Sequence, residues 1–163
     1  MDVWTDTDYA GCKRTRKSTS GGIIKLGNHL IKSWSLTQSV IALSSGEAEY
    51  YGLVKGSSIA MGARSIMADM GVDMGIRVKT DSTAAKGVAS RTGMGKIRHI
   101  EVAQLWVQDK VRKGEITLEK VEGKDNLADA LTKYLGRDDL ERHIRMTSQV
   151  IVQGRHELNP ESI

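Results

Sequence analysis

Apolar positions along the chain follow two periods. The first segments are short apolar runs bounded by turn residues. "VWTDT" (Val3 to Thr7) predicts a short strand, and "TSGGIIKL" and "HLIKSW" predict two more. Gly27-Asn28 joins the last two as a hairpin. The period then lengthens. Glu49, Leu53, Gly56, Ala60, Ala63 and Met67 recur at three- and four-residue steps, which is one face of a long helix. Ser44 and Glu47 form an S-x-x-E capping box at its start, and Gly71 closes it after about Met70. "IRVKTD" predicts a strand ending at Asp81, followed by a short helix, "STAAKGVAS". After the loop "RTGMGKIRH", the stripe Ile100, Ala103, Val107 and Val111 predicts another helix, and "EITLEKV" another strand. "GKDNLADALTKYL" predicts a last helix, capped by Asp125, with Leu127, Leu131 and Leu135 on one side. One further helix is expected in the tail, around Asp139 to Val150. A hairpin-type start followed by crossover helices predicts an α/β fold, a mixed sheet with helices packed on its faces.

Composition narrows the class. At 163 residues the chain is expected to be one domain with a proper core. The single cysteine, Cys12, cannot form an internal disulfide, and its plain reading is a small buried side chain. No apolar run is long enough to cross a bilayer, and "MDVWTDTD" lacks the features of a signal peptide. An intracellular, cytoplasmic site is the expectation, with no membrane partner and no small-molecule cofactor. A net charge of +4 decides little, but its distribution says more. From Tyr9 to Gly46 there are six Lys or Arg and no Asp or Glu. Four of the six, Lys13, Arg14, Arg16 and Lys17, fall within five residues, close behind Asp6 and Asp8. A positive stretch beside isolated acids suits a phosphate-bearing partner. The plain alternative is a salt-bridged surface.

Four carboxylates stand in telling places. Glu49 lies on the sheet-facing stripe of the long helix, whereas Glu47 shares a more polar stripe with Tyr51, Lys55 and Ser58. Glu49, not Glu47, is therefore expected to point inward, and an inward carboxylate needs a cation, a proton or several donors. Asp81 sits where a strand meets a helix, where a plain N-cap would also be found. Asp6 has the same strand parity as Trp4 and Asp8, and its plain reading is a strand-end turn residue. Asp129 falls off the leucine stripe, where a solvated first-turn acid would serve the helix dipole. Jointly, one carboxylate on each of two strands and two helices could converge at one end of the sheet. Mg²⁺ prefers such oxygen ligands and shares them with substrate phosphate. Two such ions about 4 Å apart can activate water and stabilise a leaving oxygen in phosphodiester cleavage. Zinc fits poorly, because Cys is single and no His pair has ligand spacing.

These same residues carry a family resemblance. "TDTDYAG", "RKSTSGG", "IKSWS", "ALSSGEAEYYGL", "TDSTAA", "IRHIEV" and "NLADALTKYL" occur in that order from about Val3 to Leu135. They resemble the ribonuclease H domain of copia-type LTR retrotransposon Pol polyproteins. The family patterns run close to D-A-D-W-A-G, R-K-S-T-S-G, S-W-x-S, A-L-S-S-T-E-A-E-Y, D-N-x-S-A, K-H-I-D and L-A-D-x-L-T-K. The resemblance implies a ribonuclease H-like fold, with a mixed five-stranded sheet and helices on both faces. It places the domain at residues 1–136 and leaves 137–163 as a C-terminal extension. It implies an endonuclease that hydrolyses the RNA strand of an RNA·DNA hybrid with two Mg²⁺ ions, Mn²⁺ being a substitute. The catalytic and metal-binding acids carried over by position are Asp6, Glu49, Asp81 and Asp129. Asp6 would bridge both ions, Glu49 and Asp81 would hold mainly one, and Asp129 mainly the other.

Lys13, Arg14, Arg16, Lys17, Lys96, Arg98 and His99 are then expected to grip backbone phosphates, with Ser82 a candidate for reading the 2′-OH. In the family the domain follows reverse transcriptase at the C-terminal end of a polyprotein. The expected partner domain is that reverse transcriptase, and the expected compartment is a virus-like particle. Some positions depart from the pattern. Tyr9 replaces Trp, Gly46 replaces Thr, Ser82 stands where Asn is common, and Arg98 replaces Lys. The loop "VEGKDN" has Lys124 and no His where many ribonucleases H carry one before the last helix. The competing readings are a DNA-cutting member of the same superfamily, a non-catalytic nucleic-acid-binding module, and a structural domain whose acids pair with its bases.

Overall fold

The computed structural model describes residues 1–93, 95, 100, 102–152 and 154. Among the described residues, five strands form one sheet in the order β3-β2-β1-β4-β5. They are β1 (Asp2–Asp8), β2 (Thr19–Leu26), β3 (His29–Thr37), β4 (Ile76–Thr80) and β5 (Ile116–Lys120). The first three are antiparallel, while β4 and β5 run parallel to β1. Among the described residues the α-helices are α1 (Ser45–Asp69), α2 (Thr83–Ser90), α3 (Trp106–Arg112) and α4 (Arg137–Met146). The sheet is mixed, as the alternation of hairpin and crossover segments predicts.

Strand parity separates the two faces. Val3, Thr5 and Thr7 point toward α1, where a Cβ on Gly56 would come within 2.4 Å of Thr5 Cγ2 and one on Gly52 within 2.4 Å of Thr7 Oγ1. The missing side chains let α1 lie close on β1, and that approach sets the position of its N-terminal turns. Val3, Ile24, Leu53, Val54, Ala60, Val78, Val88, Val107 and Ile116 form the core on this side. Asp6 faces the other way, on the side of its strand partner Gly21 and of Ile23 and Lys25. On that side Lys25 Nζ donates to the Met146 carbonyl at 2.8 Å, fastening α4 against the sheet. His143 of α4 is buried as well.

The start of α1 follows the capping box. Ser44 Oγ accepts from the Glu47 N–H at 3.2 Å, and Glu47 Oε2 accepts from the Leu43 N–H at 2.9 Å. The stripe reading of this helix needs one correction. Glu47 is the more buried glutamate at 2% exposure, because the chain before α1 folds over it and the Tyr51 hydroxyl donates to its second oxygen at 2.8 Å. Glu49 is half-buried.

A second correction concerns "GKDNLADALTKYL". No α-helix forms there. Two single 3₁₀ turns, Gly123–Asp125 and Asp129–Leu131, flank an extended Asn126. Asn126 is fully buried, and its Nδ2 donates to the Thr5 carbonyl at 3.0 Å while its Oδ1 accepts from the Ala128 N–H at 3.2 Å. A side chain that bonds nearby backbone in this way competes with helix hydrogen bonding and breaks the segment. The helix expected from Ile100 is likewise shorter, with a 3₁₀ turn at Val102–Leu105 leading into α3.

A candidate metal centre at the carboxyl end of the central strands

Three acids meet where β1 and β4 end. Asp6 comes from β1, Asp81 directly follows β4, and Glu49 comes from the second turn of α1. The parallel register pairs Trp4 with Lys79, and the same offset carried forward brings Asp81 beside Asp6. Ser82, not Asp81, caps α2 by accepting from the Ala85 N–H at 3.1 Å. The plain N-cap role is thus taken, and the Asp81 carboxylate is left to the cluster. One carboxylate oxygen from each of Asp6, Glu49 and Asp81 lies within 4.8 Å of the others.

The electrostatics are unfavourable without a cation. Burial pushes the Asp6 carboxyl above its usual range, and the charges of Asp81 and Asp129 add to this. The Thr132 hydroxyl, which donates to Asp6 Oδ2, and the Lys133 ammonium pull it back. Glu49 is pushed up to about 8, first by burial and then by Asp6 and Asp81. Its Oε2 is buried and has no hydrogen-bond partner among the described residues. Such an orphaned oxygen is costly unless it meets a proton or an ion. The donor set is all carboxylate oxygen, which suits a hard divalent cation such as Mg²⁺.

Asp129 stands beside this trio rather than within it. It pairs with Lys133 four residues on, and its charge reaches Asp6. Two further side chains hold the acids in place. Asn126 Nδ2 lies 3.4 Å from Asp81 Oδ1 while donating to Thr5, so it ties β1 to the end of β4. The Thr132 hydroxyl donates to Asp6 Oδ2, and its oxygen also lies 3.1 Å from the Asp129 carbonyl oxygen. Gly21 makes this possible, because a Cβ there would sit 2.7 Å from Thr132 Cγ2 and 2.9 Å from Leu131 Cβ. Sequence reasoning missed Asn126, Thr132 and Lys133. They lie inside the block "NLADALTK", from which only Asp129 was assigned a role.

Replacing Asn126 with Ala is expected to destabilise the fold by about 2 kcal/mol or more, since the Thr5 carbonyl and the Ala128 N–H would lose their partner in the core. Urea denaturation measures this. A loss under about 0.5 kcal/mol would show that water replaces the amide and that Asn126 does not hold the acids.

The basic loop follows β1 directly. Lys13, Arg14 and Arg16 are exposed and Lys17 is half-buried. The loop is closed by the Arg16 N–H donating to the Cys12 carbonyl at 2.7 Å, and is pinned to the end of β1 by Ala10 N–H to Ser18 Oγ at 3.0 Å. Cys12 itself is half-buried rather than buried. Among the described residues, no ion pair joins any of the four bases to an acid, and the base near Asp6 is Lys133. A surface whose acids simply pair with these bases is not what folds. Lys96, Arg98 and His99 lie outside the described residues. Gln108 braces the segment leading to them, exchanging bonds with Gly93 at 2.9 and 3.0 Å and reaching the Val88 carbonyl at 2.8 Å.

The Pol polyprotein of transposon RE1 from Arabidopsis thaliana is 30% identical over 140 residues, 84% of this chain. That of transposon TNT 1-94 from Nicotiana tabacum is 27% identical over 85% of the chain. This chain is homologous to the retrovirus-related Pol polyproteins of plant copia-type transposons. The Pol-related chain spans about 10% of the length of those relatives. No protein-family model matches it. Its fold is that of ribonuclease H. The LC11 ribonuclease H1 isolated from compost superposes with a TM-score of 0.53 at 14% identity, over 88% of this chain and 96% of that one. The ribonuclease H domain of a Mycobacterium tuberculosis protein gives 0.51 at 20% identity, over 88% and 95%. The LC11 enzyme has also been solved with an RNA/DNA hybrid, at a TM-score of 0.50, 16% identity, and 80% and 91% coverage. Among the described residues, no helix of the Pol-related chain is long and apolar enough to cross a membrane.

Proposed function

We propose that the chain is a ribonuclease H, an endonuclease that hydrolyses the RNA strand of RNA·DNA hybrids with Mg²⁺. The observation that carries this reading is the meeting of Asp6, Glu49 and Asp81 within 4.8 Å, from three separate elements, with Glu49 Oε2 buried and without a hydrogen-bond partner among the described residues. Asp6, Glu49 and Asp81 would hold the ion, and Asp129 would serve a second. Bound Mg²⁺ supplies an activated water for attack on the scissile phosphate and charge stabilisation for the departing 3′-oxygen. The chain's own part is to hold the acids still. Thr132 orients Asp6, and Asn126 orients Asp81. The loop Lys13 to Lys17 would bind the phosphates next to the cut without reading bases. Ser82 would lie close to the strand being cut, with Lys96, Arg98 and His99 extending the phosphate grip. The reverse transcriptase of the same polyprotein is the proposed partner domain.

The test is cleavage of a hybrid labelled on each strand, with duplex DNA and duplex RNA as rivals, under Mg²⁺, Mn²⁺ or EDTA. Metal-dependent cutting of the RNA strand alone, abolished by Asp81→Asn, is the expected result. Cutting of duplex DNA would instead indicate a DNA nuclease of the same fold. Binding without cutting under either metal would indicate a nucleic-acid-binding module.

The basic loop makes its own prediction. Changing Lys13, Arg14, Arg16 and Lys17 to Ser should weaken hybrid binding and lower the slope of log affinity against log salt by about 3, at roughly 0.7–0.9 per lost phosphate contact. Fluorescence anisotropy across a salt series reads this slope. An unchanged slope would place the hybrid elsewhere on the surface.

A further inference from the structure

Lys133 occupies a singular position. Its ammonium pairs with the Asp129 carboxylate and stands 3.9 Å from Asp6 Oδ2. It follows the 3₁₀ turn that carries Asp129, and the same turn delivers Thr132 to Asp6. Its side chain remains half exposed, so it has room to swing away. Among the described residues, no other cation forms an ion pair with Asp6 or Asp129. Lys124, in the preceding loop, pairs with Glu122, and Lys79 pairs with Asp2.

We propose that Lys133 is a built-in counter-ion that fills the space between Asp6 and Asp129 in the metal-free protein, so that a divalent ion binds there only by displacing its ammonium. This inference rests on the metal-centre reading above and makes the two sides of that centre unequal. The Asp6, Glu49 and Asp81 side carries three carboxylates and meets the Lys133 ammonium only at its Asp6 edge, 3.9 Å away, so it fills first. The Asp129 side is held by a tethered competitor, so it fills last. A tethered cation competes at high local concentration, and two positive charges about 4 Å apart repel strongly in a partly buried site. Once displaced, the ammonium stays within a side chain's length of the centre, where it can meet a phosphate oxygen. Arriving substrate thereby draws Lys133 away from the acids and opens the Asp129 side to metal.

The experiment compares the full 163-residue chain with Lys133→Met and Lys133→Arg. Isothermal titration with Mn²⁺, without nucleic acid, measures affinity and stoichiometry. Thermal unfolding with EDTA and with Mn²⁺ measures the metal-induced shift. Lys133→Met should bind Mn²⁺ about tenfold more tightly or take up a second equivalent, as expected when a like charge about 4 Å away is removed. Its midpoint should be lower than wild type in EDTA, and its rise on adding Mn²⁺ larger. Lys133→Arg should keep the wild-type pattern. Wild-type affinity, stoichiometry and midpoint shift in Lys133→Met would overturn the counter-ion role while leaving the metal centre standing. Weaker Mn²⁺ binding in that variant would also overturn it, since Lys133 would then assist the ion rather than compete with it. Failure of the wild-type chain to bind Mn²⁺ at all would overturn the metal-centre reading itself, and this inference with it.

Discussion

Asp6→Asn is expected to lower hybrid cleavage by about 10³-fold or more, while hybrid binding stays intact or tightens. Asp6 lies on the central strand, is 2% exposed, and faces both Asp81 and Glu49. No other carboxylate among the described residues can take its place, because β1 is paired on both sides and cannot shift its register alone. The amide keeps the shape of the side chain and still accepts from the Thr132 hydroxyl, so the fold should survive. What is lost is one full negative charge in a site where burial makes charge expensive and therefore effective. Phosphate binding should not suffer, because one repelling acid has gone. Single-turnover kinetics on a labelled hybrid, with anisotropy for binding and circular dichroism for folding, separates these effects. A residual rate within about tenfold of wild type would remove Asp6 from the mechanism.

Glu49→Gln tests the second large effect, the cost of holding the acids together without metal. Glu49 is pushed from an ordinary value of 4.5 up to about 8 by burial and by its acidic neighbours. Between those two values the folded chain binds a proton that the unfolded chain has released. The stability Glu49 supplies is therefore full below pH 4.5 and is lost as pH rises through about 8. In EDTA, wild type should lose stability relative to Glu49→Gln across that window, by on the order of a few kcal/mol in all. Taking the difference between the two proteins removes the contribution of His143, which titrates in both, whereas Asp6 is coupled to Glu49 and its titration moves with the substitution. Saturating Mg²⁺ should reverse the trend for wild type, because the ion binds the ionised carboxylate, and should act more weakly on the variant, which keeps Asp6 and Asp81 but lacks the third carboxylate. Metal binding at neutral pH should accordingly release protons, and affinity should rise with pH. Urea unfolding from pH 5 to 9, with and without Mg²⁺, measures both. Parallel curves for the two proteins in EDTA would show that Glu49 is solvated and ionised in the free protein.

Much of the fold could be read from local pattern. The hairpin at Gly27-Asn28, the Ser44 cap, the long helix closing near Met70 and the strand ending before Asp81 are short-range features written in neighbouring residues. Their boundaries agree with β2, β3, α1 and β4 to within a few residues. Glu49 and Asp81 stand out from their places in the local pattern, whereas the choice of Asp6 over Asp8 rests on the family motif and not on strand parity.

Other features depended on contacts between distant parts of the chain. Glu47 shares a polar stripe with Lys55 and Ser58, yet it is buried because residues before α1 close over it. Leu127, Leu131 and Leu135 have helical spacing, yet Asn126 bonds the Thr5 carbonyl 121 residues away and the segment breaks into turns. Gly21 reads as a weak strand residue, and only the turn lying across it shows why a side chain is absent. Lys133 carries no local signal of a role, and only the sheet register brings Asp6 within its reach.

The sequence by itself determined the strands, α1, α2 and the Ser44 cap, because those follow from residues a few positions apart. The tertiary structure decided which acids meet, which glutamate is buried and which lysine stands among them. Those outcomes depend on strand register and on the close packing of α1 and the Asp129 turn against β1 and β2, sums over distant segments that no local period encodes.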